Sequence, residues 1–186
     1  PFPLASAQQR LYVLQQMETT GTAYNMHGAF LIKGELNTEQ LEIAFTRLIN
    51  RHQPLHSTFV EFQGELLQQP ATIDHFVLDQ QLLTEGYAAN SADWLNKALT
   101  SFIRPFDLSR APLVRAQLWQ SKEISDLQIL LIDLHHLIAD GLSINLFLHE
   151  LFALYEQAPL IPLRANYRHF IQQQSAWLNS NEFVNA

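Results

Sequence analysis

Residues 135–143 read HHLIADGLS, a cluster of two histidines, an aspartate, a glycine and a serine. Histidine is the side chain that takes up and releases a proton near neutral pH, so either ring could act as a general base. Adjacent side chains on a strand point to opposite faces, so His135 and His136 cannot both enter one cavity. They are therefore not a simple paired metal site. Asp140 follows where the chain must turn, and it can brace that turn. Gly141 permits close approach of a ligand to the backbone or a positive torsion, and an amide near a helix start suits a developing oxyanion. Taken alone, these residue types leave a structural role open beside the catalytic one. His149 lies on a helix and reads as a surface residue, and neither it nor His52 is expected to complete a metal site.

The elements around this cluster follow from hydrophobic periodicity and turn chemistry. Ser6 and Gln9 have capping-box spacing, and Ala7, Leu11, Leu14 and Met17 recur with helical period, which predicts a helix over 6–18. Tyr24–Lys33 reads as a strand. Asn37 caps a second helix with Leu41, Ala44, Phe45, Leu48 and His52 on one face, stopped by Pro54. A strand over 55–62 turns at Gln63-Gly64 into a short partner, ELLQQ. One more strand is expected at His75–Leu78, then a helix from Ser91 to Ile103 with Leu95, Ala98, Leu99 and Phe102 inward. PLVRAQLW and LQILLIDLHH form a hairpin across QSKEISD. The second of these strands is apolar on both faces and should lie inside the sheet. An amphipathic helix over Ser143–Glu156 carries Ile144, Phe147, Leu148, Leu151 and Tyr155 toward the sheet. A last helix runs over Asn166–Leu178. Phe106, Leu108 and Leu113 read as core, and Arg51 as an anchor between helix and strand.

Composition narrows the partners. The 186 residues suffice for one core, so one domain or lobe spanning 1–186 is expected. Acidic residues outnumber basic ones 18 to 11 and no basic run occurs, which argues against nucleic acid. The absence of cysteine excludes disulfides and thiolate metal sites. No apolar run reaches the roughly 18 residues of a membrane span, and no signal segment opens the chain. A cytoplasmic location, with no membrane partner, is the expectation. Pro1 at the start suggests a piece of a longer protein.

HHLIADGLS resembles the HHxxxDGxS signature of the condensation domains of nonribosomal peptide synthetases, matched at His135, His136, Asp140, Gly141 and Ser143. Three further stretches agree in type and order. AQQRLYVL resembles the family's opening motif at Ala7, Gln8, Arg10, Leu11, Tyr12 and Leu14, with Ala5 where serine is usual. RHQPLHSTF resembles the second motif at Arg51, His52, Leu55 and Phe59, with Gln53 for a usual glutamate and His56 for a usual arginine. PFDLSRAPLVRAQL matches at Phe106, Asp107, Leu108, Pro112, Leu113 and Arg115. Tyr24-Asn25 also sits where the family commonly has that pair. Near the end, NYRHFIQQQSAW keeps Tyr167 and Phe170 but has His169 where an acidic residue is usual.

The resemblance implies an α+β, two-layer lobe of the chloramphenicol-acetyltransferase-like fold, a mixed, largely antiparallel sheet packed with helices. It would be the amino-terminal lobe, with the carboxy-terminal lobe absent. It implies an acyltransferase that forms an amide bond between a donor acyl or peptidyl thioester and an acceptor aminoacyl thioester. Both are carried on phosphopantetheine arms of carrier protein domains, and the domain itself binds no cofactor. His136 would act on the attacking amine, Gly141 would donate its amide to the oxyanion, and Asp140 would hold the loop through an arginine. His135 would pack inward, and Arg10 and Ser143 would support the site, Arg10 as a buried brace near Asp140. The fragment alone is expected to be inactive and to self-associate through its inter-lobe face.

Three alternatives stand beside this reading. An epimerization domain shares the motif, a non-catalytic carrier-docking module of the superfamily usually damages it, and a glycerolipid-type HxxxxD acyltransferase would use His135. A heterocyclization domain would have aspartates in place of the histidines and is excluded.

Overall fold

The computed structural model describes residues 1–83, 92–121 and 127–178. Two sheets form. Strands β1 (Phe2–Pro3), β3 (Ser57–Phe62) and β4 (Glu65–Pro70) make a small antiparallel sheet in the order β1-β4-β3. Strands β2 (Asn25–Lys33), β5 (Asp79–Leu83), β6 (Val114–Ser121) and β7 (Leu127–His135) make a larger one in the order β2-β7-β6-β5. Only the β5–β6 pairing there is parallel. The expected α+β lobe is therefore built on two sheets rather than one.

β7 lies inside the larger sheet, as its two-faced apolarity requires. Leu130, Ile132 and Leu134 enter the main core with helix α2 (Thr38–Arg51) and helix α4 (Gly141–Tyr155). Ile129 and Leu131 pack on the other face against Ala98 and Phe102 of helix α3 (Ala92–Phe102). The expected start of that helix at Ser91 and most of the QSKEISD connection lie outside the described residues. Asn37 Oδ1 accepts from Gln40 N–H at 2.9 Å, and Leu41, Ala44, Phe45, Leu48 and Ile49 of α2 are all fully buried. Burial of this kind stabilises by about 1.5–3 kcal/mol per large side chain, so this helix anchors the fold. Gln63 and Gly64 take φ of 53° and 81°, the paired positive torsions of a tight hairpin turn.

Several expectations need correction. Helix α1 (Ser6–Met17) is capped by Ala5, whose N–H donates to Gln8 Oε1 at 3.0 Å, so Gln8 takes the part expected of the Ser6–Gln9 pair. Leu14 and Met17 are exposed, and the buried residue of α1 is Gln8. His75–Leu78 is no strand, although Phe76 and Leu78 are buried. The N–H of Phe76 donates to Thr46 Oγ1 and that of Leu78 to Glu42 Oε1, at 3.0 and 2.8 Å. These side chains of α2 take the place of a ladder, which starts only at Asp79. Helix α4 begins at Gly141, two positions before the expected Ser143. Helix α5 (Tyr167–Leu178) closes the described chain.

Candidate functional site

β7 ends at His135, and the chain turns out of the sheet at His136. This separates the two histidines more completely than strand alternation alone. His135 is fully buried and both of its ring nitrogens are engaged. Nδ1 accepts from Leu137 N–H at 3.1 Å, and Nε2 faces Gln15 Oε1 at 3.2 Å. Burial, reinforced by His136 and Arg115 nearby, lowers its pKa to about 4. At pH 7 roughly one such ring in a thousand would be charged, so His135 is a neutral structural group.

His136 is tied by its backbone N–H to Tyr24 C=O at 2.8 Å, while its ring makes no hydrogen bond among the described residues. It lines a cleft of about 340 Å³ together with Gln8, His52, Asp140, Ser143 and Tyr167. The remaining wall is largely apolar, from Ala7 and Leu11 of α1 and Leu146 and Phe147 of α4. Of the two histidines, only His136 can meet a ligand there.

Asp140 is the N-cap of α4. Its Oδ1 accepts from Ser143 N–H at 2.8 Å and Ser143 Oγ–H at 2.6 Å. These bonds, the hydroxyl first, hold its carboxyl below the usual carboxylate range. The expected arginine brace is absent: Asp140 is exposed, Arg10 is exposed on α1, and no ion pair joins them among the described residues. A cap needs only a side-chain oxygen near the third helical N–H, and Ser143 occupies that position.

Gly141 has an ordinary torsion rather than a positive one, so the backbone does not need glycine there. A Cβ built on it would meet nothing within 4 Å. Its N–H is unbonded among the described residues and stands at the positive end of the α4 dipole. Openness at this amide suits close approach by a ligand oxygen.

Two further networks support the cleft. Glu150 of α4 is buried, with Oε2 2.5 Å from His52 Nε2 and 3.1 Å from Arg51 Nε. Burial pushes its pKa up, but His52 and Arg51 outweigh that and hold it low. Arg51 thus anchors α2 to α4 rather than helix to strand. Gln53 Oε1 accepts from Arg168 N–H at 2.9 Å and His56 Nδ1 lies 2.7 Å from Ala71 C=O, so both family departures contact backbone.

Beneath His135, Asp133 is fully buried with Oδ2 3.5 Å from Arg115 Nε, and it accepts from Asn25 Nδ2 at 2.7 Å. Burial raises Asp133 to a pKa of about 6 against the pull of Arg115, and lowers Arg115 to about 10. Arg115 also stacks 3.6 Å above the Phe106 ring. Among the described residues no three His, Cys, Asp or Glu side chains form a metal-ligand group.

Sequence reasoning missed Gln8 and Gln15 as parts of the site. Gln8 Nε2 donates to Leu137 C=O at 2.8 Å. Their seven-residue spacing put them on one helix face, a polar signal hidden beneath the apolar stripe.

The sequence profile described as "Condensation domain" matches residues 1–186. Bacitracin synthase 2 of Bacillus licheniformis is 40% identical over 177 residues, covering 95% of this chain and 6% of that protein. Gramicidin S synthase 2 of Brevibacillus brevis is 36% identical over 182 residues, covering 98% of this chain and 4% of that protein. The chain thus spans a small part of these curated relatives. Among solved structures, the starter condensation domain of rhizomide synthetase superposes with a TM-score of 0.82 at 18% identity, covering 99% of this chain and 47% of that one. The first condensation domain of the calcium-dependent antibiotic synthetase, in complex with a substrate analogue, superposes with a TM-score of 0.80 at 20% identity, covering 99% and 45%. At these identities the two structures speak to the fold.

Proposed function

The chain belongs to the condensation-domain family of nonribosomal peptide synthetases, and from that premise we propose that it is the amino-terminal lobe of a domain joining two carrier-bound thioesters through an amide bond. The observation that carries the reading is the partition of the histidine pair. His135 is locked in the core, and His136 presents a free ring to a cleft that also holds the head of α4. Coverage of 45–47% of two condensation-domain chains supports a second lobe opposite this one.

In this mechanism the acceptor amine attacks the donor thioester carbonyl carbon. As the C–N bond forms, His136 takes the amine proton and the carbonyl oxygen gains charge within reach of Gly141 N–H. Collapse breaks the C–S bond, and the proton passes to the departing thiolate, leaving amide and thiol. Asp140 and Ser143 contribute by holding the first turn of α4, which aims the Gly141 amide. The phosphopantetheine arms of peptidyl and aminoacyl carrier domains deliver both substrates, in a protein at work in the cytoplasm. Among the described residues no helix is long and apolar enough to cross a membrane.

The test is to load donor and acceptor carriers of the full synthetase containing this chain and to follow products by mass spectrometry. Amide-linked product on the acceptor carrier supports the reading. An epimerized aminoacyl group with no amide identifies an epimerization domain, and loaded carriers that never react identify a docking module; either overturns it.

A further inference from the structure

Helix α1 turns a polar edge toward the loop that carries His136. Gln8 and Gln15 stand two turns apart on it and so share a face. Gln8 Nε2 donates to the C=O of Leu137 at 2.8 Å, and the N–H of Leu137 donates to His135 Nδ1 at 3.1 Å. Leu137, the residue after His136, is thus held at both of its backbone polar groups by side chains of fixed character.

The second hold depends on which ring nitrogen of His135 carries the proton. Because Nδ1 accepts, the hydrogen of the neutral ring sits on Nε2, where Gln15 Oε1 accepts it at 3.2 Å. Gln15 has its own orientation fixed, since its Nε2 donates to Gly21 C=O at 3.2 Å and so turns Oε1 toward the histidine. We propose, on the reading that His136 acts on the amine, that Gln15 is a positioning residue: it fixes the tautomer of His135 and through it the backbone turn that presents His136 to the cleft.

The physical reason is a donor–acceptor conflict. Without an acceptor at Nε2 the proton can move to Nδ1, where it meets Leu137 N–H donor to donor and forces the turn apart. A displacement on the order of 1 Å at a reacting group costs about 100-fold in rate, far more than the bond itself contributes to stability. Gln15 is only partly buried, so its replacement leaves the apolar core intact.

The test uses the full synthetase carrying Gln15→Ala or Gln15→Glu, with His136→Ala in parallel. The charged and ring groups facing His135 are His136, Arg115 with its partner Asp133, and the edge of Phe106. The Gln15→Glu change keeps the size and the acceptor of glutamine, but the new carboxylate draws a second proton onto the ring and turns Nδ1 into a donor. The amide-forming kcat of Gln15→Glu should fall up to about 10-fold relative to the parent at about pH 6 with KM unchanged, and recover as rising pH removes that proton. Gln15→Ala should be impaired at both ends of the range. Hydrogen exchange of the peptide containing Leu137 should quicken in both variants at the lower pH. General loosening of α1 would not be repaired by alkali. Parental kcat and parental Leu137 protection in both variants, with His136→Ala inactive, would overturn the assignment of Gln15. If His136→Ala stays active, the reading of His136 fails instead, and Leu137 protection alone decides the role of Gln15.

Discussion

Asp140 and Ser143 clasp each other at the head of α4: one carboxylate oxygen takes both the amide and the hydroxyl of the serine, at 2.8 and 2.6 Å. The clasp is the point where the turn that follows β7 and carries His136 becomes the helix that opens with Gly141. Loss of an N-cap typically costs about 1 kcal/mol, and this cap also orients the amides of the first turn.

Asp140→Ala should therefore lower stability by about 1 kcal/mol while reducing amide formation, and Asp140→Asn, which keeps the capping oxygen, should do less of each. Had Asp140 been a buried partner of an arginine, its removal would cost about 3–5 kcal/mol. Melting curves and product assays on the same samples separate the two cases. Both variants melting like the parent yet inactive would make Asp140 a direct participant in the chemistry.

The divergence of the two histidines predicts opposite signatures. His136→Ala should abolish amide formation at unchanged melting temperature, because its ring bonds nothing among the described residues. His135→Ala removes a fully buried ring with two hydrogen bonds and should destabilise by several kcal/mol, on the order of 2–4. Full activity in the His136 variant would remove it from the mechanism.

A third expectation concerns the 186-residue chain by itself. Met17 on α1 and Leu142 on α4 are 75% and 84% exposed, with Val13 and Leu146 beside them in sequence pattern. If a second lobe normally covers this region, the isolated chain should self-associate and form no amide, since half a cleft neither aligns two substrates nor excludes water. Sedimentation and activity, each repeated with the second lobe supplied separately, test this. Amide formation by the chain alone at the full domain's rate would refute the two-lobed reading.

The parts of the fold that were legible in the sequence depend on near neighbours. Asn37 caps α2 through Gln40, three residues on, and the hairpin at Gln63-Gly64 needs only its own torsions. β7 could be placed inside a sheet because its own residues are apolar on both faces. Illegible features depend on distant partners: Gln8 meets Leu137 across 129 positions, and Gln15 meets His135 across 120. The misplaced strand at His75–Leu78 has the same origin, because Thr46 and Glu42 of α2 satisfy its N–H groups. The bracing role of Arg10 rests on resemblance alone, and the carboxylate it was to brace is served by a serine.

The last prediction joins two buried groups with opposite responses to acid. Asp133 is raised to about 6 in the folded chain, from an ordinary value of 3.8. Between those values the native state holds a proton that the unfolded chain has released, so this group makes stability fall as pH rises through that window. His135 is lowered to about 4 from 6.5, so between those values the unfolded chain holds the extra proton, and this group makes stability rise with pH. Each shift of about two pH units corresponds to about 3 kcal/mol, and the windows overlap, so these two contributions nearly cancel from about pH 4 to 6. The parent's slope there reflects its other carboxylates, Asp140 and Glu150 among them, which are held low and add stability as pH rises. Substitution unmasks each contribution. Asp133→Asn keeps the shape of the site and should leave a protein that loses stability as pH falls from about 6.5 toward 4. Relative to the parent, His135→Gln should change the slope in the reverse sense, losing stability as pH rises toward about 6. Thermal melts of the three proteins at half-unit pH steps decide the matter, compared by slope because both variants also shift the baseline. Parallel curves for all three would mean that neither group titrates differently in the folded chain, and the buried environment assigned to Asp133 and His135 would have to be abandoned.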